Sequence, residues 1–172
     1  MNRVRATRLI GSSFGLVFVQ ANAGALPDPV SVPLRVLAVA AFLFLGLFNR
    51  RPAPEATTAP EPRFGGRYWL VAAAEVVGIA AGLAVINKAF HTPTATVGWI
   101  AFVVGVHFFG LATAWSRPQL RVLGGSMAAC GAVGMALAFL GAPAAAVSTV
   151  AGILPGVFLF ASVWWSSRPQ PS

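Results

Sequence analysis

The chain consists of long apolar runs separated by short polar segments that are rich in proline, glycine and arginine. A helix needs about 20 predominantly apolar residues to cross the hydrocarbon core of a bilayer, and six runs approach or reach that length. The runs lack the alternating polar positions of membrane barrel strands. The pattern therefore predicts an all-α, polytopic transmembrane helical bundle of about six spans. The approximate bounds of these spans are 9–26, 30–48, 68–87, 95–115, 120–140 and 144–165.

Composition favours the same class of protein. Of the 172 residues, 57% are hydrophobic and only 9% are charged, whereas a soluble domain carries about 25% charged residues. The mean hydropathy is +0.77. We therefore interpret residues 1–172 as a single integral membrane domain whose first partner is the lipid bilayer. The abundance of Ala, Gly, Pro and Arg is typical of high-GC bacteria and favours a bacterial plasma membrane location.

The basic residues predict how the bundle is oriented. An up-and-down path through six spans collects ten of the twelve Lys and Arg residues on one side and leaves Arg35 and Lys88 on the other. Cytoplasmic loops are enriched in Lys and Arg, so both termini are predicted to be cytoplasmic. The net charge of +8 then follows from topology, and no nucleic-acid partner is expected. The ten residues on the cytoplasmic side are Arg3, Arg5, Arg8, Arg50, Arg51, Arg63, Arg67, Arg117, Arg121 and Arg168.

The longest polar segment, residues 49–67, has the sequence NRRPAPEATTAPEPRFGGR. Its prolines disfavour a helix and its charges disfavour burial. We interpret it as a flexible, Pro-rich cytoplasmic loop between the second and third spans.

The N-terminal segment has an alternative interpretation. Three arginines, an apolar run and the sequence Ala21-Asn22-Ala23 match the basic, apolar and A-x-A regions of a secretory signal peptide. Cleavage there would leave five spans. Because apolar sequence resumes almost at once, we favour a retained first span that forms a hairpin with the second.

Two short matches suggest an inverted repeat of the two halves of the chain. Leu34-Arg35-Val36-Leu37 recurs as Leu120-Arg121-Val122-Leu123, and GIxxG occurs at both Gly78 and Gly152. Inverted repeats are common in transporters. Short matches are also expected by chance in a chain so rich in Leu, Val, Gly and Ala, so a bundle without a repeat stays the alternative.

Glu75 is a carboxylate inside an apolar run, and its predicted depth matches that of His107. Glu75 lies eight residues beyond Arg67, or about 12 Å along a helix. His107 lies ten residues before Arg117, or about 15 Å from the same side. In an antiparallel hairpin the midpoint of the two is residue 91, the centre of the predicted turn. The sequence therefore predicts that Glu75 and His107 face each other.

Small residues share the predicted faces of this pair. Glu75, Gly78 and Gly82 are spaced i, i+3 and i+7, and Gly110 lies one turn beyond His107, so each polar group shares a face with glycine. Glycine faces let membrane helices approach closely. We also expect Gly131 and Gly134 to be packing positions of the fifth span.

The pair suggests a function, because an ionisable residue within the membrane is by default a functional candidate. The first hypothesis is a small permease or proton-linked carrier that uses Glu75 and His107. The alternative is a non-catalytic membrane protein in which the pair clips two helices together and the glycine faces pack in a homo-oligomer or against partner subunits. A membrane-embedded enzyme with Glu75 as general acid or base is a third, weaker hypothesis.

Other chemistry is sparsely represented. Cys130 is the only cysteine and the two histidines lie at different predicted depths, so we expect no metal site and no cofactor. Pro155 lacks a backbone N–H and frees the carbonyl of residue 151, which predicts a kink in the sixth span. No nucleophile with an adjacent base identifies a catalytic residue, so the chain is more typical of a non-enzyme.

The stretch GVHFFGLA at residues 105–112 resembles a segment found in uncharacterised small bacterial multi-span membrane proteins. The resemblance covers eight residues of one span. It implies the six-span class and draws attention to His107.

Overall fold

The computed structural model describes residues 3–48, 65–115, 117–166 and 168, and within these residues the regular structure is entirely helical. Three of the helices continue into a wider π-helical turn, and a fourth follows such a turn. The helices are α1 (Arg3–Asn22), α2 (Asp28–Phe42), α3 (Gly66–Val85), α4 (Ala95–Ala114), α5 (Gln119–Phe139), α6 (Ala144–Ser148) and α7 (Leu154–Ser166). The π-helical turns are Leu43–Phe48 after α2, Ile86–Phe90 after α3 and Thr149–Ile153 between α6 and α7.

Five helical segments in the described part of the chain are long and apolar enough to cross a membrane. They are Asp28–Leu47, Tyr68–Phe90, Ala95–Ala114, Gln119–Phe139 and Ala144–Ser166. The arginine-bearing helix α1 is not among them, so the first of the six predicted spans stays a prediction, as does the cytoplasmic location of the termini. The predicted loop 49–67 falls mainly outside the described residues, and its last two residues belong to α3.

The centre of the bundle is the contact between α4 and α5. A Cβ atom on Gly124 would lie 2.7 Å from the carbonyl oxygen of Gly105, and one on Gly98 would lie 2.8 Å from that of Gly131. Both distances are shorter than side chains tolerate, so the two backbones touch directly. Lipid is as apolar as the side chains, so the hydrophobic effect does not bring membrane helices together. Small residues stabilise such helix pairs by letting the backbones pack closely.

Helix α1 completes this core. Phe18 is buried with Met127 and Leu159 in one cluster that joins α1, α5 and α7. Gly15 and Gly156 let α1 and α7 come together, because a Cβ atom on Gly156 would lie 2.9 Å from the Gly15 carbonyl oxygen. One face of α1 is therefore part of the packed interior, while Ile10, Phe14 and Val17 on the same helix stay exposed.

Helix α3 lies at the edge of the bundle. Its extended contact is with α4 alone, whereas α5 contacts α4, α6 and α7. Only 6% of its most apolar window is buried. Its distal end is anchored, since Ile86 is buried in a second cluster with Ala95, Ala138 and Val147. The two halves of the chain thus pack differently, and the packing gives the inverted repeat no support.

Candidate functional site

The structure brings Glu75 and His107 together between α3 and α4. Glu75 is the tenth residue of α3 and His107 is the thirteenth of α4, so both lie well inside their helices. The distance between His107 Nδ1 and Glu75 Oε2 is 3.1 Å. This distance is short enough for a hydrogen bond, or for an ion pair when the imidazole carries a proton.

The contact is close but poorly aligned. His107 Nδ1 is fully shielded from solvent, yet it has no hydrogen-bond partner with good geometry among the described residues. The imidazole also lies within hydrogen-bonding reach of the backbone of Val71, one turn before Glu75. The ring therefore lies beside a carboxylate and a backbone group without a well-aligned hydrogen bond to either. Such an arrangement leaves room for a small adjustment when a proton arrives or departs.

Glu75 has an unused oxygen. Its contact with His107 involves Oε2, and no other polar contact to the carboxylate occurs in the described part of the chain. The side chains of His107 and Glu75 remain 12% and 20% exposed. The carboxylate is thus an acceptor with spare capacity near the surface of the helix pair.

Glycines and one tryptophan shape the groove between α3 and α4. A Cβ atom on Gly110 would lie 2.7 Å from Val71, and one on Gly82 would overlap the indole of Trp99. The Trp99 indole Nε1 donates a hydrogen bond of 3.0 Å to the carbonyl oxygen of Gly78. Gly78, Gly82 and Gly110 therefore lie along the same helix contact as the Glu75–His107 pair.

The remaining predicted site residues lie elsewhere. Gly131 packs against α4, and Gly134 packs against Ala151 in the π-helical turn of Thr149–Ile153. Pro155 is fully buried directly after that turn, where the helical hydrogen bonding changes its spacing. The kink itself stays a prediction. None of these three residues contributes to the Glu75–His107 site.

Sequence reasoning predicted Gly131 as a packing position but missed the residues of α4 that face α5. Gly98, Ala101 and Gly105 repeat the i, i+3, i+7 spacing that was recognised at Glu75, so a systematic search for small residues at that spacing finds them. It also did not predict the contact of Asn22, which is buried and lies where a Cβ atom on Gly152 would be. No pattern around Asn22 indicates that contact, because Gly152 is far away in the sequence.

No catalytic or metal-binding cluster accompanies the pair. The described residues contain no group of three His, Cys, Asp or Glu side chains that could hold a metal ion. Ser126 donates a hydrogen bond to the backbone oxygen of Val122 in its own helix. The hydroxyl therefore makes an ordinary intrahelical contact and has no base beside it.

The helices and the site together define a multi-pass membrane protein with one acid–imidazole pair between two apolar helices. No protein-family model matches the chain, and the searches of curated proteins and of solved structures also find no match. The resemblance suggested by residues 105–112 consequently stays a prediction, and function has to be argued from the site.

Proposed function

We propose that this protein is a small permease or proton-linked carrier of the bacterial plasma membrane in which the Glu75–His107 pair takes up and releases the coupled proton. The observation that carries the proposal is the 3.1 Å contact between His107 Nδ1 and Glu75 Oε2 inside two helices that are apolar enough to span a membrane. Ionisable groups in such places commonly serve ion and proton pathways.

The chemistry of the pair suits exchange of a proton for a cation. With one proton, the pair is either a carboxylate beside an imidazolium or a carboxylic acid beside an imidazole, and both forms have no net charge. Loss of that proton leaves a single negative charge between apolar helices, which is costly. The pair then regains neutrality by binding a proton or a cationic solute, and these two ligands compete.

The placement of α3 supports a cycle of this kind. Ile86 anchors the distal end of the helix in a buried cluster, whereas the part that carries Glu75 has α4 as its extended neighbour. A helix held in this way can shift against α4 with little disturbance of the α4–α5 core. A change in the charge of the pair would bias that shift.

The test is proton movement in proteoliposomes. Purified protein is reconstituted with a pH-sensitive dye inside, and pools of candidate solutes are added under an imposed pH gradient. We expect one pool to cause a proton flux that is lost in Glu75→Gln, which keeps the shape and hydrogen bonding of the side chain but carries no exchangeable acid proton. Asp28→Asn is the matched control, because Asp28 is an exposed carboxylate at the start of α2, and it should retain the flux. A Glu75→Gln variant with wild-type flux would contradict the proposal.

A second candidate function is supported by the exposure of α3. Val76 and Val77 are 66% and 67% exposed, so this helix offers an apolar face to a partner subunit or to a second copy of the chain. In a Cys130→Ser background, Val77→Cys should form disulfide-linked dimers in membranes if copies meet through α3. Val122→Cys, on an equally exposed position of α5 at 74%, is the control and should not.

A further inference from the structure

The surfaces beside the Glu75–His107 pair are apolar and face outward. Val76 follows Glu75 on α3 and Val106 precedes His107 on α4, with exposed fractions of 66% and 48%. Because α3 has α4 as its extended neighbour, no second layer of helices covers this groove in the described part of the chain. In a membrane, these surfaces contact lipid.

Aromatic residues flank the pair at both ends of the groove. On one side of Glu75, the Trp99 indole bonds to Gly78 and fills the space beside Gly82. On the other side, Tyr68 stacks on Trp115 with ring centroids 6.0 Å apart and an interplanar angle of 11°. Glu75 lies between these two aromatic contacts.

One cavity in the described part of the chain lies away from the pair. Its volume is about 280 Å³, and it lies where the start of α4 meets α6. Neither Glu75 nor His107 lines it. The lining residues are Pro93, Thr94, Val97, Ala144, Val147 and Ser148. This cavity therefore does not connect the pair to water. The partial exposure of the pair lies at the edge of the bundle, where α3 has α4 as its extended neighbour.

From these contacts we infer that the Glu75–His107 pair is a binding site entered laterally from the bilayer, and that its ligand is a membrane-dissolved amphiphile bearing a protonated amine. The free oxygen of Glu75 accepts the ammonium N–H, and the positive charge neutralises the carboxylate. The apolar body of the ligand lies against the valines beside the pair. The inference rests on the proposed function and names the class of solute that exchanges with the proton.

The route of access can be tested with two carbodiimides of different solubility. The acid proton of Glu75 moves to a carbodiimide nitrogen as the carboxyl oxygen bonds to the central carbon, and an acyl shift then gives a stable N-acylurea. No atoms are lost, so the peptide gains the mass of one reagent molecule. The lipid-soluble probe is N,N′-dicyclohexylcarbodiimide, and the water-soluble probe is a carbodiimide with a charged arm.

We expect the lipid-soluble reagent to label Glu75 several-fold faster than the water-soluble one in phosphatidylcholine vesicles at mildly acidic pH. Exposed Asp28 is the internal control and should show no such preference. Equal labelling of Glu75 by both reagents would mean an aqueous route and would overturn the inference. Absence of labelling by either reagent would mean a closed helix clip and would also overturn it. Glu75→Gln should remove the adduct from that peptide.

The ligand class is tested by protection. Dodecylamine should slow labelling of Glu75 several-fold, whereas ethylamine at the same concentration should not, because it lacks the apolar body. Equal protection by both amines, or by neither, would refute an amphiphilic amine. Lipid-selective labelling without any solute-driven proton flux would remove the proposed function and keep the lateral route. Solute-driven proton flux together with labelling of Glu75 by the water-soluble reagent would keep the proposed function and remove the lateral route.

Discussion

A carboxylate and an imidazole that meet between two apolar helices depend on each other. Each group loses most of its water on entering such a site, and the contact between His107 Nδ1 and Glu75 Oε2 partly compensates that loss. Removal of one partner therefore lowers the free energy of unfolding by more than the energy of the contact alone. The remaining group is still poorly hydrated and has lost its partner.

Glu75→Ala should accordingly lower the free energy of unfolding by about 1–2 kcal/mol, the range measured for interhelical and buried hydrogen bonds. The double variant with His107→Ala should cost less than the sum of the two single changes, because both remove the same interaction. Unfolding of all four proteins in mixed detergent measures this coupling. Additive losses would show that the two residues do not interact.

At the contact between α4 and α5, backbone atoms leave no space for an added side chain. A Cβ atom on Gly131 would lie 2.6 Å from the carbonyl oxygen of Gly98, whereas one on Gly125 would have Phe109 as its nearest atom at 3.7 Å. Backbone atoms cannot rotate away as the end of a side chain can. The α4–α5 distance therefore depends on the absence of a side chain at Gly131.

We predict that Gly131→Ala destabilises the protein by about 1–3 kcal/mol, the usual cost of overpacking. Gly125→Ala on the same helix should be neutral or slightly stabilising, because alanine favours helix over glycine. Thermal unfolding of the two variants gives the comparison. Equal effects would mean that the helices do not touch at Gly131.

The α3–α4 contact should tolerate a similar change only with help from its neighbour. A Cβ atom on Gly110 would meet the side chain of Val71 at 2.7 Å. We expect Gly110→Ala to cost about 1 kcal/mol or more, and Val71→Ala in the same chain to recover part of that loss because it vacates the space. Equilibrium unfolding of the two single variants and the double variant measures the recovery. If the double variant loses as much stability as the two single variants added together, Gly110 does not pack against α3.

At the scale of the whole molecule, the distribution of arginines predicts which side of the membrane each loop faces. In a Cys130→Ser background, cysteines at Thr57 and Thr92 should be labelled from opposite sides of the membrane, with Thr57 on the cytoplasmic side. An impermeant maleimide applied to intact cells and to inverted vesicles distinguishes the two sides. Labelling of both positions from the same side would refute the predicted topology.

The N-terminal helix should remain in the mature protein. Phe18 and Val19 of α1 are 7% and 2% exposed, and Gly15 packs closely against Gly156. A chain without this helix would leave the facing surface of α7 uncovered. Intact mass spectrometry should therefore find α1 in purified protein, and a chain beginning at Gly24 would contradict this prediction.

Some features of the candidate site could be predicted from the sequence because they depend on helix geometry alone. Rise per residue is constant, so the spacing of Glu75 and His107 about the turn at residue 91 predicts equal depth in any antiparallel hairpin. The i, i+3, i+7 spacing likewise places Gly78 and Gly82 on the same face as Glu75. The hydrogen-bond geometry between His107 Nδ1 and Glu75 could not be predicted in this way, because it depends on side-chain angles and on the nearby Val71 backbone.

By itself, the sequence determined the class of protein. Apolar runs of this length and so few charges require a membrane, because water could not solvate them and no soluble core could contain them. Local spacing then sufficed to select Glu75 and His107 as the pair of interest. Both results follow from the chemistry of single segments.

Only the tertiary structure decided which helix faces meet protein. Helices α3 and α5 are both apolar around most of their surface, yet α3 lies at the edge while α5 contacts several neighbours. Lipid and protein interiors are equally apolar, so hydrophobic periodicity does not distinguish a buried face from a lipid-facing one. The direct backbone contact at Gly98 and Gly105 and the position of the Glu75–His107 pair at the edge of the bundle arise from how the helices pack, which no single segment encodes.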